Sequence, residues 1–375
     1  MSTLVALLLV LLDVFLFVCC LDSKNSVTRA YESWLLTRGI TNGGVENAFF
    51  TYTGVPNGGQ VKGLGLDKGS APGSALLTVP RSAALSTTER DSRESPLPGV
   101  TDEMWRSEKI LTRLSLLLLA EWQKGSASQF GDYIAMLVDL EPPFTPLHWD
   151  AESVAALKSV YPSMAAAVET QDRDNKRLYE LLPFAKQGVA QERFLWAMET
   201  VKSRTFQGFG AVKGGSDGEE RWLWTSVLLP AIDMVNHHSQ RFNCDVAYNP
   251  TLSAFVLSPR KDGTTAMAQG SEVLISYGDR DNDDLLQHFG FVEPDNPFDC
   301  FKVHSDGATT LTVNKRERET WSVPESMDNK EIKRVLAAQL ALLSSAAPTT
   351  NPLLNVFLEE KRAVLLHALG LLNRA

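Results

Sequence analysis

Over residues 27–39 apolar side chains recur at helical spacing, with Tyr31, Trp34 and Leu35 on one face, and a first helix is expected there. The pattern then shortens. Residues 43–73 alternate glycines with brief apolar stretches, which reads as small strands joined by tight turns. Ala75-Leu76-Leu77-Thr78-Val79-Pro80 reads as a buried strand stopped by proline, and the polar, proline-containing stretch 92–99 reads as a boundary. From Thr101 the period lengthens again. Ile110, Leu111, Leu114, Leu117 and Leu118 predict a helix, and further helices are expected over 130–140, 150–160, 176–184 and 191–206, the last with Phe194, Met198 and Val201 on one face. A glycine-rich loop is expected over 208–218. Short β-branched or aromatic runs at 227–232, 246–248, 254–257 and 272–276 predict strands, with a turn at Lys261-Asp262-Gly263 before the last of them. Helical periodicity closes the chain over 329–343 and 352–372. No internal repeat is apparent.

Composition changes this picture little. The 375 residues are 44% hydrophobic and 22% charged, the make-up of a folded chain long enough for two or three domains. Lys plus Arg number 36 against 45 Asp plus Glu, a formal charge of −9 that repels a polyanion on average, so nucleic acid is not the expected partner. The same charge tolerates a basic protein segment. Cys19 and Cys20 lie in an apolar leader, and Cys244 and Cys300 are too few for a disulfide framework or a four-cysteine zinc site. The leader, residues 1–24, is apolar from Leu4 to Leu21 except for Asp13, which would cost a spanning helix about 2.5 to 3.5 kcal/mol. No Lys or Arg precedes the run, so it reads as a cleaved leader or a loose anchor, and any membrane contact is expected only through it. Plastid or cytosol both remain open for the mature chain.

Two neighbourhoods place reactive side chains directly after an apolar run, where sheet edges present functional groups. One is Asp233-Met234-Val235-Asn236-His237-His238, after Leu228-Leu229-Pro230-Ala231-Ile232. The other is Ile275-Ser276-Tyr277-Gly278, after Glu272-Val273-Leu274 and before Asn282 and Phe289-Gly290-Phe291. Together with Gly63-Leu64-Gly65-Leu66, Val79-Pro80 and Ser203-Arg204-Thr205-Phe206, in this order, they resemble a SET domain. The subtype is similar to the plant Rubisco large-subunit lysine methyltransferase and its relatives, which include the actin-histidine methyltransferase. The resemblance runs from about Tyr31 to about residue 370. It implies an α+β fold of small sheets with a pseudoknot, a SET domain over 25–295 split by a helical insertion at about 93–190, and a helical substrate-binding region over 300–375.

The resemblance also implies chemistry: transfer of a methyl group from S-adenosylmethionine to a lysine of a protein substrate, expected to be non-histone, without a metal. Tyr277 matches the catalytic tyrosine and also lies at the cofactor. Asn236 and His237 match the residues that bind the adenine end while threading beneath another segment. Lys62, Gly63 and Leu64 match a strand whose backbone approaches the methionine end. Ser203, Arg204 and Phe206 match a segment lining the substrate and cofactor pocket, and Asp233 is divided between a cofactor role and a structural cap. Adjacent His237 and His238 with Cys244 superficially resemble a zinc site, but their spacings match no common pattern. Many relatives carry a second tyrosine before the Gly-Phe pair, and here Phe289 stands there, which leaves the degree of methylation open. Methylation of a histidine, or a silent SET fold that only binds, are the alternatives; the channel floor around 203–206 and Tyr248 is expected to decide between lysine and histidine.

Overall fold

The computed structural model describes residues 26–52, 59–90, 93–140, 143–182, 188–213, 220–261, 266–305, 308–316 and 318–374. The apolar leader and most of the 261–263 turn lie outside them. Helix α1 (Ser26–Thr37) leads into β1 (Thr41–Asn42), β2 (Val45–Thr51), β3 (Gln60–Leu66), β4 (Leu77–Pro80) and β5 (Leu85–Thr88). Helices follow: α2 (Asp102–Ser107), α3 (Ile110–Gln123), α4 (Gly131–Asp139), α5 (Ala151–Val160), α6 (Pro162–Leu181) and α7 (Gln191–Arg204). Strands return as β6 (Phe206–Lys213), β7 (Glu220–Leu228), β8 (Asn236–His237), β9 (Cys244–Asn249), β10 (Ala254–Pro259) and β11 (Leu274–Ile275). The rest is α8 (Asn282–Phe289), the hairpin β12 (Cys300–Ser305) and β13 (Ala308–Asn314), and the helices α9 (Asn329–Ser345) and α10 (Pro352–Arg374).

Local chemistry explains most boundaries. The side chains of Thr101, Asp150, Asp281 and Asp328 accept from the first-turn amides of α2, α5, α8 and α9, and Pro162 sits in the first turn of α6. Helix α6 starts well before the expected 176, because its buried face carries Gln171 and Asn175 beside Met164, Ala165 and Val168 and the apolar period is lost to the eye. The expected loop at 208–218 begins instead as β6, whose glycines lie within a paired strand. The strand expected over 227–232 is displaced: β7 ends at Leu228, before Pro230, and Ile232–Met234 form a turn of 3-10 helix. The region after 300 is not all helical, since Phe301 and Val313 alternate with polar neighbours in a hairpin.

Strands β1, β4, β10 and β9 form one antiparallel sheet, β5, β7 and β6 another, and β2 pairs with β3. Strand β8 lies parallel to β11, with Asn236 opposite Leu274 and His237 opposite Ile275. This short parallel pairing brings the two motif neighbourhoods side by side.

Two apolar cores result. The first gathers α1, the small sheets and α2–α4 with α7. The second gathers Trp149, α5 and α6 with the hairpin and α9–α10, so the helical insertion is shared between the cores. In α9, Ile332, Leu336 and Leu343 pack inward and are fully buried. Burying each such side chain contributes about 1.5 to 3 kcal/mol.

Candidate active site

A cavity of about 870 Å³ opens between β2–β3, the end of α7, the 233–238 segment, Tyr277 and the 289–294 segment. Its position follows from the β8/β11 pairing, which places Asn236 and His237 beside Tyr277.

Tyr277 is fixed at every polar atom. Its amide donates to His237 Nδ1 at 3.0 Å, its ring stacks on His237 with centroids 4.9 Å apart, and its hydroxyl donates to the Val235 carbonyl at 2.7 Å. Burial pushes the phenol up to about 12, so it stays neutral at physiological pH and acts as a dipole. His237 is buried, and its Nε2 faces Glu293 Oε2 at 3.4 Å. Glu293 also accepts from the Ser239 amide at 2.9 Å and hydroxyl at 2.8 Å. Burial alone would raise this carboxyl, but the hydrogen bonds from His237 and Ser239 prevail and hold it below its ordinary value.

Asn236 is held from behind. Its Nδ2 donates to Glu272 Oε1 at 3.0 Å and reaches the Lys62 carbonyl at 3.4 Å, while the Tyr52 hydroxyl donates to the same Glu272 oxygen at 2.7 Å. Burial raises the Glu272 carboxyl. Gly63 lies directly beneath: a Cβ there would sit 2.4 Å from Asn236 Nδ2, so only glycine permits this approach.

Asp233 is buried at the cavity wall. Tyr133 donates to its Oδ2 at 2.6 Å, and Oδ1 has no hydrogen-bond partner. Burial raises its carboxyl, against a smaller pull from Arg204. The Arg204 guanidinium meets the Asp233 backbone carbonyl, at 2.9 Å, and not the carboxylate. Lys62 also lines the cavity, and burial lowers its ammonium. Phe289 stands 5.1 Å from the Tyr277 ring, with the Arg280 guanidinium 5.1 Å from its own centroid.

The cavity therefore brings together Lys62, Ser203, Arg204, Asp233, Asn236, His237, Tyr277 and Phe289 from the residues singled out in the sequence. The Ser203 hydroxyl is already committed to the Glu199 carbonyl at 2.8 Å. Gly63 lies under Asn236, Leu64 is 2% exposed in the core, and Phe206 begins β6 away from the lining. Tyr248 is also outside it: its hydroxyl meets Ser253 at 3.3 Å and its ring packs on Phe255, so it does not form the channel floor. Among the described residues no cluster suited to a metal ion forms, and Cys244 turns its sulfur to Met267 at 3.8 Å, away from the histidines. Sequence reading passed over Tyr52, Arg241, Asp139 and Phe144, all at the cavity. A Phe-Phe-Thr-Tyr run ending a strand opposite a glycine-rich one was the available signal for Tyr52.

No protein-family model matches the chain. It is 26% identical over 312 residues to the actin-histidine N-methyltransferase of Drosophila melanogaster, covering 75% of this chain and 53% of that protein. It is also 26% identical over 239 residues to the N-lysine methyltransferase setd6 of Xenopus laevis, covering 60% of this chain and 49% of that protein. The chain thus spans about half the length of these relatives. Rubisco LSMT bound to sinefungin and monomethyllysine superposes with a TM-score of 0.61 at 14% identity, over 93% of this chain and 92% of that one. The SET domain of LSMT bound to lysine and AdoHcy gives 0.62 at 13% identity, over 94% and 92%. The chain has the SET fold of the Rubisco LSMT type.

Proposed function

We propose that this chain is an S-adenosylmethionine-dependent protein-lysine N-methyltransferase. The observation that carries the reading is one cavity in which a neutral, fully anchored Tyr277 hydroxyl faces the same space as Asn236, Asp233 and two cations, Lys62 and Arg204. The residues fit the cofactor: the cavity has the volume of a ligand site, the cations suit a carboxylate, and the Asn236 side-chain oxygen receives no donor among the described residues while its amide is fixed by Glu272. S-adenosylmethionine supplies a methyl group on a sulfonium, and transfer requires a neutral nucleophile in line with it. What this chain contributes is orientation. The Tyr277 phenol is too weak an acid to trade protons near neutrality, so its hydroxyl and the Val235 carbonyl act by directing the incoming amine.

The likeness to LSMT structures holding lysine or monomethyllysine, and to an N-lysine methyltransferase, supports lysine as the target. A basic segment of a non-histone protein suits the acidic surface, with the helices of 329–374 as its docking lobe. The likeness to an actin-histidine N-methyltransferase favours a second reading, histidine as the target of the same transfer. Methyl-label transfer from S-adenosylmethionine into a lysate, with mass spectrometry of the labelled residue, decides between them. Label on lysine supports the proposal, label on histidine selects the second reading, and no label at all with a protein that binds the cofactor leaves a binding module.

A further inference from the structure

The turn that carries Asp233 is strained. Ala231 has φ 69° and ψ −43°, a conformation in which a side chain is disfavoured and which persists only when neighbours impose it. The neighbours are two phenols outside the cavity. Tyr31, on α1, accepts the Ala231 amide on its hydroxyl at 2.9 Å, and Tyr133, on α4, donates to Asp233 at 2.6 Å. Both are buried, and their rings stack 6.1 Å apart with Trp34 against each, at 6.0 and 5.9 Å. Trp34 is tied in turn to the Gln129 carbonyl at 2.8 Å, at the entry to α4. The two ends of the turn are thus gripped by one aromatic stack. Directly downstream the Val235 carbonyl receives the Tyr277 hydroxyl.

We propose that Tyr31 and Tyr133 are positioning residues: the stack holds Ala231 in its strained conformation and so aims the Val235 carbonyl at Tyr277. Neither phenol lines the cavity, so neither touches a bound molecule. The proposal rests on the methyltransferase reading only for its effect on turnover. Without the Tyr31 hydroxyl the Ala231 amide has no acceptor, and the backbone relaxes toward an unstrained conformation. Glycine at 231 removes the side-chain penalty and keeps the turn accessible without that hydrogen bond.

The test compares Tyr31→Phe, Tyr133→Phe and Tyr31→Phe/Ala231→Gly with the parent protein. Amide hydrogen exchange across 230–236 is expected to quicken about tenfold or more in Tyr31→Phe while exchange in α1 stays as it was. Turnover is expected to fall about tenfold with S-adenosylhomocysteine affinity within about twofold of the parent, and the added Ala231→Gly to restore most of the lost rate. Unchanged exchange at 230–236 in both single variants overturns the proposal, as does a glycine variant that recovers no rate. Quickened exchange in the variants, with a parent that transfers no methyl to any protein, keeps the clamp and removes the methyltransferase reading, so the two failures are told apart.

Discussion

Two of the places where carboxylates are buried are treated differently. Behind the second core, Lys361 is fully buried, donating to Asp299 at 2.5 Å and to the Cys300 carbonyl at 2.9 Å and ion-paired with Asp283 at 2.7 Å. Asp299 also accepts from the Asn282 and Cys300 amides, and Asp283 from Tyr161 at 3.0 Å. At the cavity, by contrast, Asp233 has one oxygen bound by Tyr133 and one orphaned, and Arg204 bonds to its backbone. Burial would lower the Lys361 ammonium, yet the surrounding carboxylates hold it well above the ordinary lysine value, while burial raises the carboxyls of both Asp283 and Asp233. A carboxylate cluster closed around a buried cation serves the scaffold, whereas the open one at Asp233, with no cation bonded to its carboxylate, stands at a cavity wall.

Breaking the closed cluster is expected to have the largest effect. Lys361→Met strands Asp283 and Asp299 in the interior and should cost about 3 to 5 kcal/mol in urea unfolding. The sign of its pH dependence follows from the raised ammonium. Its stabilisation is complete below the unfolded lysine value and is lost only as the pH climbs through the higher folded one, so the parent should be level across neutral pH and weaken in alkali, and Lys361→Met should lack that alkaline slope. An unfolding free energy within about 1 kcal/mol of the parent would mean the cluster is not closed as described. The same contacts bear on the role of the C-terminal helices. Because α10 supplies Lys361, removing 329–375 breaks the scaffold beneath α8, so a docking role for these helices is better probed by substitutions on their exposed face, such as Leu366→Glu, with the KM for a protein substrate as readout.

The open cluster and its neighbours should separate binding from chemistry. Tyr277→Phe removes the hydroxyl directed at Val235 and is expected to lower kcat about 10²-fold with cofactor affinity kept. Asn236→Ala is expected to do the reverse, weakening cofactor binding by calorimetry. Loss of affinity in Tyr277→Phe with turnover intact would exchange the two roles.

A smaller effect of opposite sign is expected at Asp233. Its folded carboxyl is raised, so ionisation opposes folding: its contribution is most favourable below the unfolded value and is lost as the pH rises through the folded one. Asp233→Asn should therefore raise stability at neutral pH by about 0.5 to 1 kcal/mol while lowering activity, a trade typical of functional sites. A destabilised Asp233→Asn would place the carboxylate with the scaffold.

The two clusters also differ in how far the sequence exposed them. Tyr277, Asn236 and His237 were legible because each follows an apolar strand within a few residues, and the parallel pairing of β8 with β11 then brings them together. What supports them was not. Tyr52 meets Glu272 across 220 positions, Tyr31 meets Ala231 across 200, and Tyr133 meets Asp233 across 100, and no local period encodes such pairings. The helix at Ile110–Gln123 announced itself through leucine spacing, whereas α6 hid behind buried Gln171 and Asn175. The hairpin after 300 was readable, since Leu311-Thr312-Val313 alternates apolar and polar, and a helical expectation carried over from resemblance masked it.

The smallest change is expected from Phe289→Tyr. Phe289 lies between Tyr277 and Arg280, lines the cavity and ends α8, whose following Gly290 (φ 73°) packs so tightly on Phe144 that a Cβ would sit 2.6 Å from its amide. The backbone there is pinned, so an added phenol oxygen has to be accommodated by the cavity and not by movement of the helix. Folding stability should change by no more than about 0.5 kcal/mol, since one half-buried ring replaces another of nearly the same shape. Under the proposed activity the new hydroxyl takes up room and offers a hydrogen bond beside Tyr277, so a partly methylated amine has less freedom to reorient for another transfer. The first transfer is expected to proceed at near the parent rate while products carrying more methyl groups decline, followed by intact-mass measurement of the substrate over time. An unchanged product distribution would show that Phe289 is a spectator of the cavity wall and that the space around the amine is set by Tyr277 and its partners alone.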